Sequence, residues 1–305
     1  MKLLEDKEVS DVEFSTWTGT DRSTLLKQKL PLEDFISNLS EKLNLLKPHS
    51  FIAKQQNLFV SDKKESLAEG EVLVMYDFSE NYAYVCQDAS QAFHYNNDQC
   101  TIFTCIYYYK EKGELKHKSH IFLSDSTKHD TAAVYTVQKM LIPMIKEDVK
   151  NVKKIIYVSD GAKQHFKNRY QISNLIHHKD DFGISAEWHF SATSHGKSSF
   201  DGLGAIFKRE AYRASLVAKA LEAILNVKAL LEWGKKHFKN IHISYYSKAD
   251  HAKTQRKLNQ RFNNAKAVPE ILKNHGFLVE SEKKVLIKRF SNDKKSKANA
   301  WDVTK

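Results

Sequence analysis

The sequence predicts an α/β protein, a mixed five-stranded sheet with helices on both faces. Three observations carry that prediction. Two apolar runs, Val72-Leu73-Val74-Met75-Tyr76 and Val152 to Val158, read as central strands buried on both sides. Between them, Thr101 to Tyr109 is rich in β-branched and aromatic residues, and a Lys112-Gly113 turn separates it from Lys116 to Leu123, the pattern of a hairpin. From Asp130 onward helical and strand patterns alternate, as in sheets that take helices on both faces.

The elements follow in order. Residues 1–30 are polar and mixed, with weak helical signals from Ser23 to Lys29. Pro31 opens a helical pattern through Phe35, Leu39, Leu43 and Leu46 that Pro48 closes, and a second helix runs from His49 to about Asp62. Residues 1–70 are therefore expected to be a helical region packed on the core that follows. The hairpin-rich half starts at Glu71, and the insert Tyr82 to Gln99 fits neither period clearly. Asp130 to Lys146 is an amphipathic helix with a potential break at Pro143, and it follows the cap-rich cluster Ser124-Asp125-Ser126-Thr127. After the strand ending in Ser159-Asp160-Gly161 come a helix from about Lys163 to His178 and a short strand from Ile184 to Phe190. A glycine-rich stretch and a long helix through Tyr212 to Trp233 complete a core spanning residues 71–236. Asn240 to Tyr246 is a candidate extra strand, and residues 237–305 read as a basic extension whose clearest apolar run is Val285-Leu286-Ile287.

Composition bounds the function. The chain has 305 residues, 41% of them hydrophobic and 11% aromatic, enough to bury a substantial core. The formal charge is +11, and between Lys253 and Lys297 thirteen Lys/Arg stand against four Asp/Glu. Such a surface attracts polyanions, nucleic acid before membrane, although a solvated basic face serves solubility equally well. Cys86, Cys100 and Cys105 have no zinc-ligand spacing, and three thiols in a chain of this size suggest a reducing compartment and buried, inert side chains. No apolar stretch approaches a membrane span, and the acidic N-terminus does not resemble a signal peptide, so an intracellular protein is expected.

The chemistry rests on acids. Asp77 and Asp160 each end a buried strand, at the sheet edge where ligands of open α/β sheets gather. Two carboxylates side by side repel unless a cation lies between them, and hard divalent ions accept such pairs together with phosphate oxygens. Either acid alone reads equally well as a strand end or helix cap. The stretch Ser194-His195-Gly196-Lys197-Ser198-Ser199-Phe200-Asp201-Gly202-Leu203-Gly204 offers a third acid, a proton-transfer group and a cation. Gly202 and Gly204, poor helix formers, make sense where backbone must approach a strand, an ion or a phosphate closely. Glu210 competes with Asp201. Nine residues at about 100° each put the two on opposite faces of one helix, with Leu203, Ile206, Phe207, Ala214, Val217 and Leu221 on the Glu210 side. The choice between them stays open at this point.

Together, Tyr76-Asp77-Phe78-Ser79-Glu80-Asn81-Tyr82, Ser159-Asp160-Gly161-Ala162 and His195-Gly196-Lys197 to Asp201-Gly202-Leu203-Gly204 resemble the DDE/DDD-type transposases and integrases of the ribonuclease H-like superfamily over roughly residues 70 to 235. The resemblance implies a ribonuclease H-like sheet and magnesium- or manganese-dependent cleavage and transfer of DNA strands. It implies Asp77, Asp160 and Asp201 as metal ligands with Glu210 as the rival third acid, and His195 and Lys197 as assisting groups at the scissile phosphate. DNA is the expected partner, in the nucleus if the source is eukaryotic. Self-association is left open, and neither a membrane nor an organic cofactor is expected. The alternative function is a transposon-derived DNA-binding or scaffold protein without catalysis. A DEDD-type exonuclease fits less well, because Asp77 and Glu80 are separated by two residues rather than one, and Ser79 stands where a dehalogenase-like phosphatase needs an acid.

Overall fold

The computed structural model describes residues 9–19, 23–85, 98–192, 199–218, 223–281, 284–293 and 299–302. The chain divides into two compact units, Met1–Ile52 and Ala53–Lys305.

The first unit corrects the expectation of an all-helical N-terminal region. Asp11–Gly19 (β1) and Ser23–Pro31 (β2) pair antiparallel in unbroken register from Asp11↔Pro31 to Gly19↔Ser23. Along β1 the more covered side carries Val12, Phe14, Thr16 and Thr18, a period of two that specifies a half-covered strand. Pairing with β1 overrides the helix-forming Leu25-Leu26-Lys27, since strand preference depends on cross-strand neighbours more than on the residue itself. Leu32–Ser66 (α1) then runs as one helix with Pro48 inside it, where two helices were expected. A proline removes one backbone bond and crowds the preceding turn. Here the strong helix formers Leu45-Leu46-Lys47 on one side and Ala53-Lys54-Gln55-Gln56 on the other carry the helix through.

The described residues of the second unit form nine strands: Glu71–Ala83 (β3), Gln99–Glu111 (β4), Glu114–Ser124 (β5), Lys154–Ser159 (β6), Ser185–Phe190 (β7), Ile241–Tyr246 (β8), Gly276–Ser281 (β9), Lys284–Lys288 (β10) and Asn299–Asp302 (β11). Among the described residues they form one mixed sheet in the order β11-β10-β9-β7-β6-β3-β4-β5-β8. The five expected strands lie side by side at its centre. β3 is antiparallel to β4 and β4 to β5, while β3, β6 and β7 are mutually parallel. The sheet is wider than the five strands expected because residues 237–305 are not an appendage. They add β8 parallel to β5 at one edge and β9 antiparallel to β7 at the other. At the β4–β5 turn Lys112 and Gly113 have φ of 54° and 81°, the paired positive values that a tight right-twisted hairpin requires.

Helices cover both faces, as expected. They are Thr131–Asp148 (α2), Arg169–Ile176 (α3), His178–Phe182 (α4), Ser199–Val217 (α5), Val227–His237 (α6) and Lys248–Asn263 (α7). Because side chains alternate along a strand, Val72, Val74 and Tyr76 of β3 pack with Val134, Val137 and Leu141 of α2 and Ile172 and Leu175 of α3. Leu73 and Met75 pack on the other face with Leu203, Phe207 and Ala211 of α5 and Val227 and Leu230 of α6.

One helix boundary agrees with the sequence reading and two differ. Asp130 caps α2, its carboxylate accepting the Ala133 amide, and Pro143 does not end that helix. The helix expected from Lys163 begins only at Arg169, where the Asn168 side chain accepts the Tyr170 and Gln171 amides. The long helix expected through Trp233 is two, α5 and α6, the second restarted by Asn226 capping Ala229. Cys100 and Cys105 are buried free thiols, as expected, and burial pushes Cys100 up to about 11. No described helix is long and apolar enough to cross a membrane.

Candidate metal centre

The central parallel pair creates the site. β3 and β6 run in register from Glu71↔Lys154 to Met75↔Val158. β6 then stops at Ser159, so Asp160 leaves the sheet at the level of Asp77, two residues past the last pair. β3 does not stop at Asp77, as the apolar run suggested. It continues to Ala83 along β4, with a register shift between Ser79 and Tyr82. Asp77 therefore has a strand neighbour on one side and open space on the other.

Carboxylate oxygens of Asp77 and Asp160 and a ring nitrogen of His165 all lie within 4.8 Å of one another. The backbone holds both acids. Asp77 Oδ1 accepts the Phe78 amide at 2.7 Å, and Asp160 Oδ1 accepts the Ala162 amide at 3.1 Å. His165 comes from the turn that replaces the expected helix start, where the Ala162 carbonyl accepts the Phe166 and Lys167 amides, both at 3.0 Å. Its ring stands edge-on to Phe78 at 4.8 Å, and its carbonyl accepts the Thr131 hydroxyl at 3.2 Å. His165 Nε2 is 3.9 Å from Asp160 Oδ1, beyond hydrogen-bond distance, so the two face a common space without closing on each other.

The electrostatics of this cluster are unfavourable as it stands. Burial, then the Asp160 charge and more weakly Asp201, push Asp77 up to about 8 against the pull of the Phe78 amide. Burial and Asp201 likewise raise Asp160. Neither histidine compensates. Burial takes His165 down to about 4, and burial with the nearby His165 takes His129 to about 4. Among the described residues no lysine or arginine forms an ion pair with Asp77 or Asp160. Two acids that disfavour each other's charge, beside a neutral imidazole with a lone pair, suit a divalent cation that takes oxygen and nitrogen donors.

Of the other residues read from the sequence, Asp201 lies in the first turn of α5, and its charge acts on both Asp77 and Asp160. Gly204 explains how α5 comes so near. A Cβ there would stand 3.0 Å from Ser79 Oγ and 3.2 Å from Thr104 Cγ2, so glycine lets the helix come this close to β3 and β4 without either neighbour giving way. Gly202 faces open space and has no such role. Glu210 is on the same helix, which begins at Ser199, and so turns away from Asp201. It pairs with Arg209 and Arg213, each at 3.2 Å, and is not in the Asp77–Asp160–His165 cluster. The buried stripe of α5 is Leu203, Phe207, Ala211 and Ser215, whereas Ile206 and Val217 are exposed. His195 and Lys197 lie outside the described residues.

The sequence reading missed His165, five positions after Asp160, as a site member. It also missed His129, which stacks on Phe78 at 4.3 Å and whose Nε2 lies 2.8 Å from Asn81 Oδ1. The signal for both is the exposed-looking strand extension Phe78-Ser79-Glu80-Asn81. Phe78, in the middle of a polar string, needs ring partners, and the two histidines supply them.

A family model described as Domain of unknown function (DUF8701) matches residues 56–291, and one described as Domain of unknown function (DUF8700) matches residues 1–47. The gap between the two matches brackets the division of the structure after Ile52. No curated protein matches the chain. Two solved structures show similarity. "Crystal structure of NurA" is 13% identical over 83% of this chain and 50% of that chain, with a TM-score of 0.16. "Crystal structure of NurA bound to dAMP and manganese" is 12% identical over 87% of this chain and 51% of that chain, with a TM-score of 0.15. The chain spans about half the length of these two, and at such scores the likeness carries no structural argument.

Proposed function

The chain belongs, over residues 56–291, to the family described as Domain of unknown function (DUF8701), which names no chemistry, and from the site itself we propose a nucleic-acid phosphodiester-cleaving or strand-transferring centre that uses magnesium or manganese. The observation that carries it is the convergence of Asp77, Asp160 and His165 within 4.8 Å at the end of the two central parallel strands. Asp77 and Asp160 supply the oxygen ligands, and neutral His165 supplies the nitrogen. Asp201, exposed in the first turn of α5 and outside the 4.8 Å cluster but with its charge felt by both acids, is the third acid in preference to Glu210, whose charge is taken by Arg209 and Arg213. A divalent ion in such a site stabilises charge developing on phosphate oxygens. The residues around it fix orientation: Ser159 Oγ accepts the buried Trp188 indole and donates to the Asp160 carbonyl, and Gly204 sets the distance between α5 and β3.

The five central strands β5-β4-β3-β6-β7, with the acids on the adjacent pair β3 and β6, support a ribonuclease H-like core within the wider sheet. DNA is the proposed substrate, because the net charge of +11 favours a polyanion and a phosphodiester uses the site's cation affinity. The test is cleavage of supercoiled and single-stranded DNA with magnesium or manganese by the protein and by Asp160→Asn. Cleavage that needs the metal and falls at least a hundredfold in the variant is the expected result. Undiminished cleavage by Asp160→Asn overturns the proposal.

A further inference from the structure

Behind His165, on the α2–α3 face of the sheet, opens a cleft of about 660 Å³ between the starts of α2 and α3 and the second half of α7. Its wall is shared with the acid site, because the Thr131 hydroxyl that lines the cleft donates to the His165 carbonyl. The lining is of two kinds. Tyr170 and Phe262, both half-buried, bring their rings to 4.9 Å at an angle of 44°, with the Arg169 guanidinium 4.9 Å from the Tyr170 ring. Around them stand the carboxamides of Gln164, Gln255 and Asn259, with Gln255 donating to Asn259 at 2.9 Å and leaving the Gln255 oxygen and the Asn259 amino group for a ligand. Carboxamides offer paired donor and acceptor groups, and an aromatic face with a guanidinium accepts a flat heterocycle. Among the described residues no carboxylate but Asp130 lines the space, and that one is taken by the His251 ring at 2.9 Å and the Ala133 amide.

Resting on the reading of the acid site as a nucleic-acid centre, we infer that this cleft holds one unstacked base of a single-stranded nucleic acid whose backbone passes the Asp77–Asp160 pair. Three features select that occupant over a small anion or a peptide. The aromatic pair gives a stacking surface that tolerates any base. The carboxamides match the polar edges of a base rather than a charge. On α7, exposed Arg256, next to Gln255 of the lining, offers a cation to an adjoining phosphate, while exposed Lys253 and Lys257 add positive charge on the far flank of the helix. The acid site lies between this cleft on one face of the sheet and Asp201 of α5 on the other. A strand crossing the sheet edge there has its base on one side and its phosphate at the acids.

The experiment measures binding and not cleavage, so that its outcome is separate from that of the acid site. Anisotropy of a labelled single-stranded oligothymidylate is followed in EDTA for the protein, Tyr170→Leu, Tyr170→Phe and Gln164→Ala, with an abasic oligonucleotide of equal length as the paired probe. Loss of one stacked base weakens binding about 5- to 100-fold. Tyr170→Leu is expected to lose that much on the thymidylate and to bind the abasic strand as the parent does, while Tyr170→Phe stays within about twofold of the parent. Gln164→Ala, at an exposed position that tolerates truncation, is expected to lose a few-fold in affinity. Equal affinity of the parent for thymidylate and abasic strands overturns the inference, as does a Tyr170→Phe loss equal to that of Tyr170→Leu. If Asp160→Asn abolishes cleavage while the Tyr170 series shows no base dependence, the acid site stands and the cleft does not. If the base dependence holds while no metal-dependent cleavage is found, the base site outlives the cleavage reading.

Discussion

Removing one charge from the Asp77–Asp160 pair should stabilise the metal-free protein, and the amount is set by how far Asp77 is displaced. Its carboxyl moves from an ordinary value of 3.8 to about 8 through burial and the Asp160 and Asp201 charges. Between those two values the folded protein keeps a proton that the unfolded chain has released. Folded Asp77 thus binds more protons, and stability falls as pH rises across this window and levels off above it. At about 1.4 kcal/mol per unit the ceiling is roughly 6 kcal/mol. The site opens to water, with the Asp160 side chain 35% exposed, and solvent screening brings the expected value to about 2 kcal/mol. Urea denaturation of the protein and of Asp77→Asn in EDTA, at pH 5 and pH 8, measures it. The parent should lose about 2 kcal/mol more than the variant between the two conditions, and manganese should return that stability to the parent alone. Parallel pH profiles for the two proteins would refute the reasoning, because they would mean that neither burial nor the neighbouring acids displace Asp77.

The remaining predictions concern how the site is framed. Gly202→Ala should raise stability by about 0.5–1 kcal/mol through helix propensity, whereas Gly204→Ala should lower it by about 1–2 kcal/mol as its Cβ meets Ser79 and Thr104; opposite signs in urea denaturation check this, and a gain at both refutes the close approach. Arg261 forms a two-bond pair with Asp181 at 2.7 and 2.9 Å, both side chains nearly covered. Arg261→Met should therefore cost roughly 3 kcal/mol by leaving Asp181 buried and unpaired, and a double variant with Asp181→Asn should recover most of it.

How much of this was legible in the sequence depends on the kind of signal each element carries. The run Val72 to Tyr76 could only be a strand buried on both faces, and Lys112-Gly113 could only turn tightly, so the centre of the sheet followed directly. Asp77 and Asp160 followed from it, because an acid at the end of such an apolar run has a fixed place even where, as at Asp77, the strand itself runs on. The third acid did not. Helix periodicity set Asp201 and Glu210 on opposite faces, but which face of α5 meets the sheet depends on Gly204 fitting against Ser79 and Thr104, a contact between segments 100 or more residues apart. His165 was hidden for the same reason, since its place is fixed by Phe78 and Thr131 from two other elements. Of the outer strands, β8 was legible as the candidate Asn240 to Tyr246, whereas β9 to β11 were missed because edges carry little apolar signal. β9 and β10 are short and flanked by Glu280, Lys284 and Lys288, which read as a solvated basic segment. The hairpin of the first unit failed differently. Its alternation was present in Val12, Phe14, Thr16 and Thr18, and leucine-rich β2 drew attention away from it.

The placement of the last strands has a consequence for the order in which the protein can be made. All four acids discussed, Asp77, Asp160, Asp201 and Glu210, precede residue 211, yet the two strands that flank the central five are β8 and β9, from residues 241–246 and 276–281. A nascent chain emerging from the ribosome presents the open backbones of β5 and β7 before either partner exists. Unpaired edges of that kind recruit neighbouring chains. Completion of the sheet waits for contacts of long sequence separation, which form slowly. The C-terminal segment that first read as a basic tail is thus the part whose arrival ends the vulnerable interval, and its lysines keep the strands soluble until they dock.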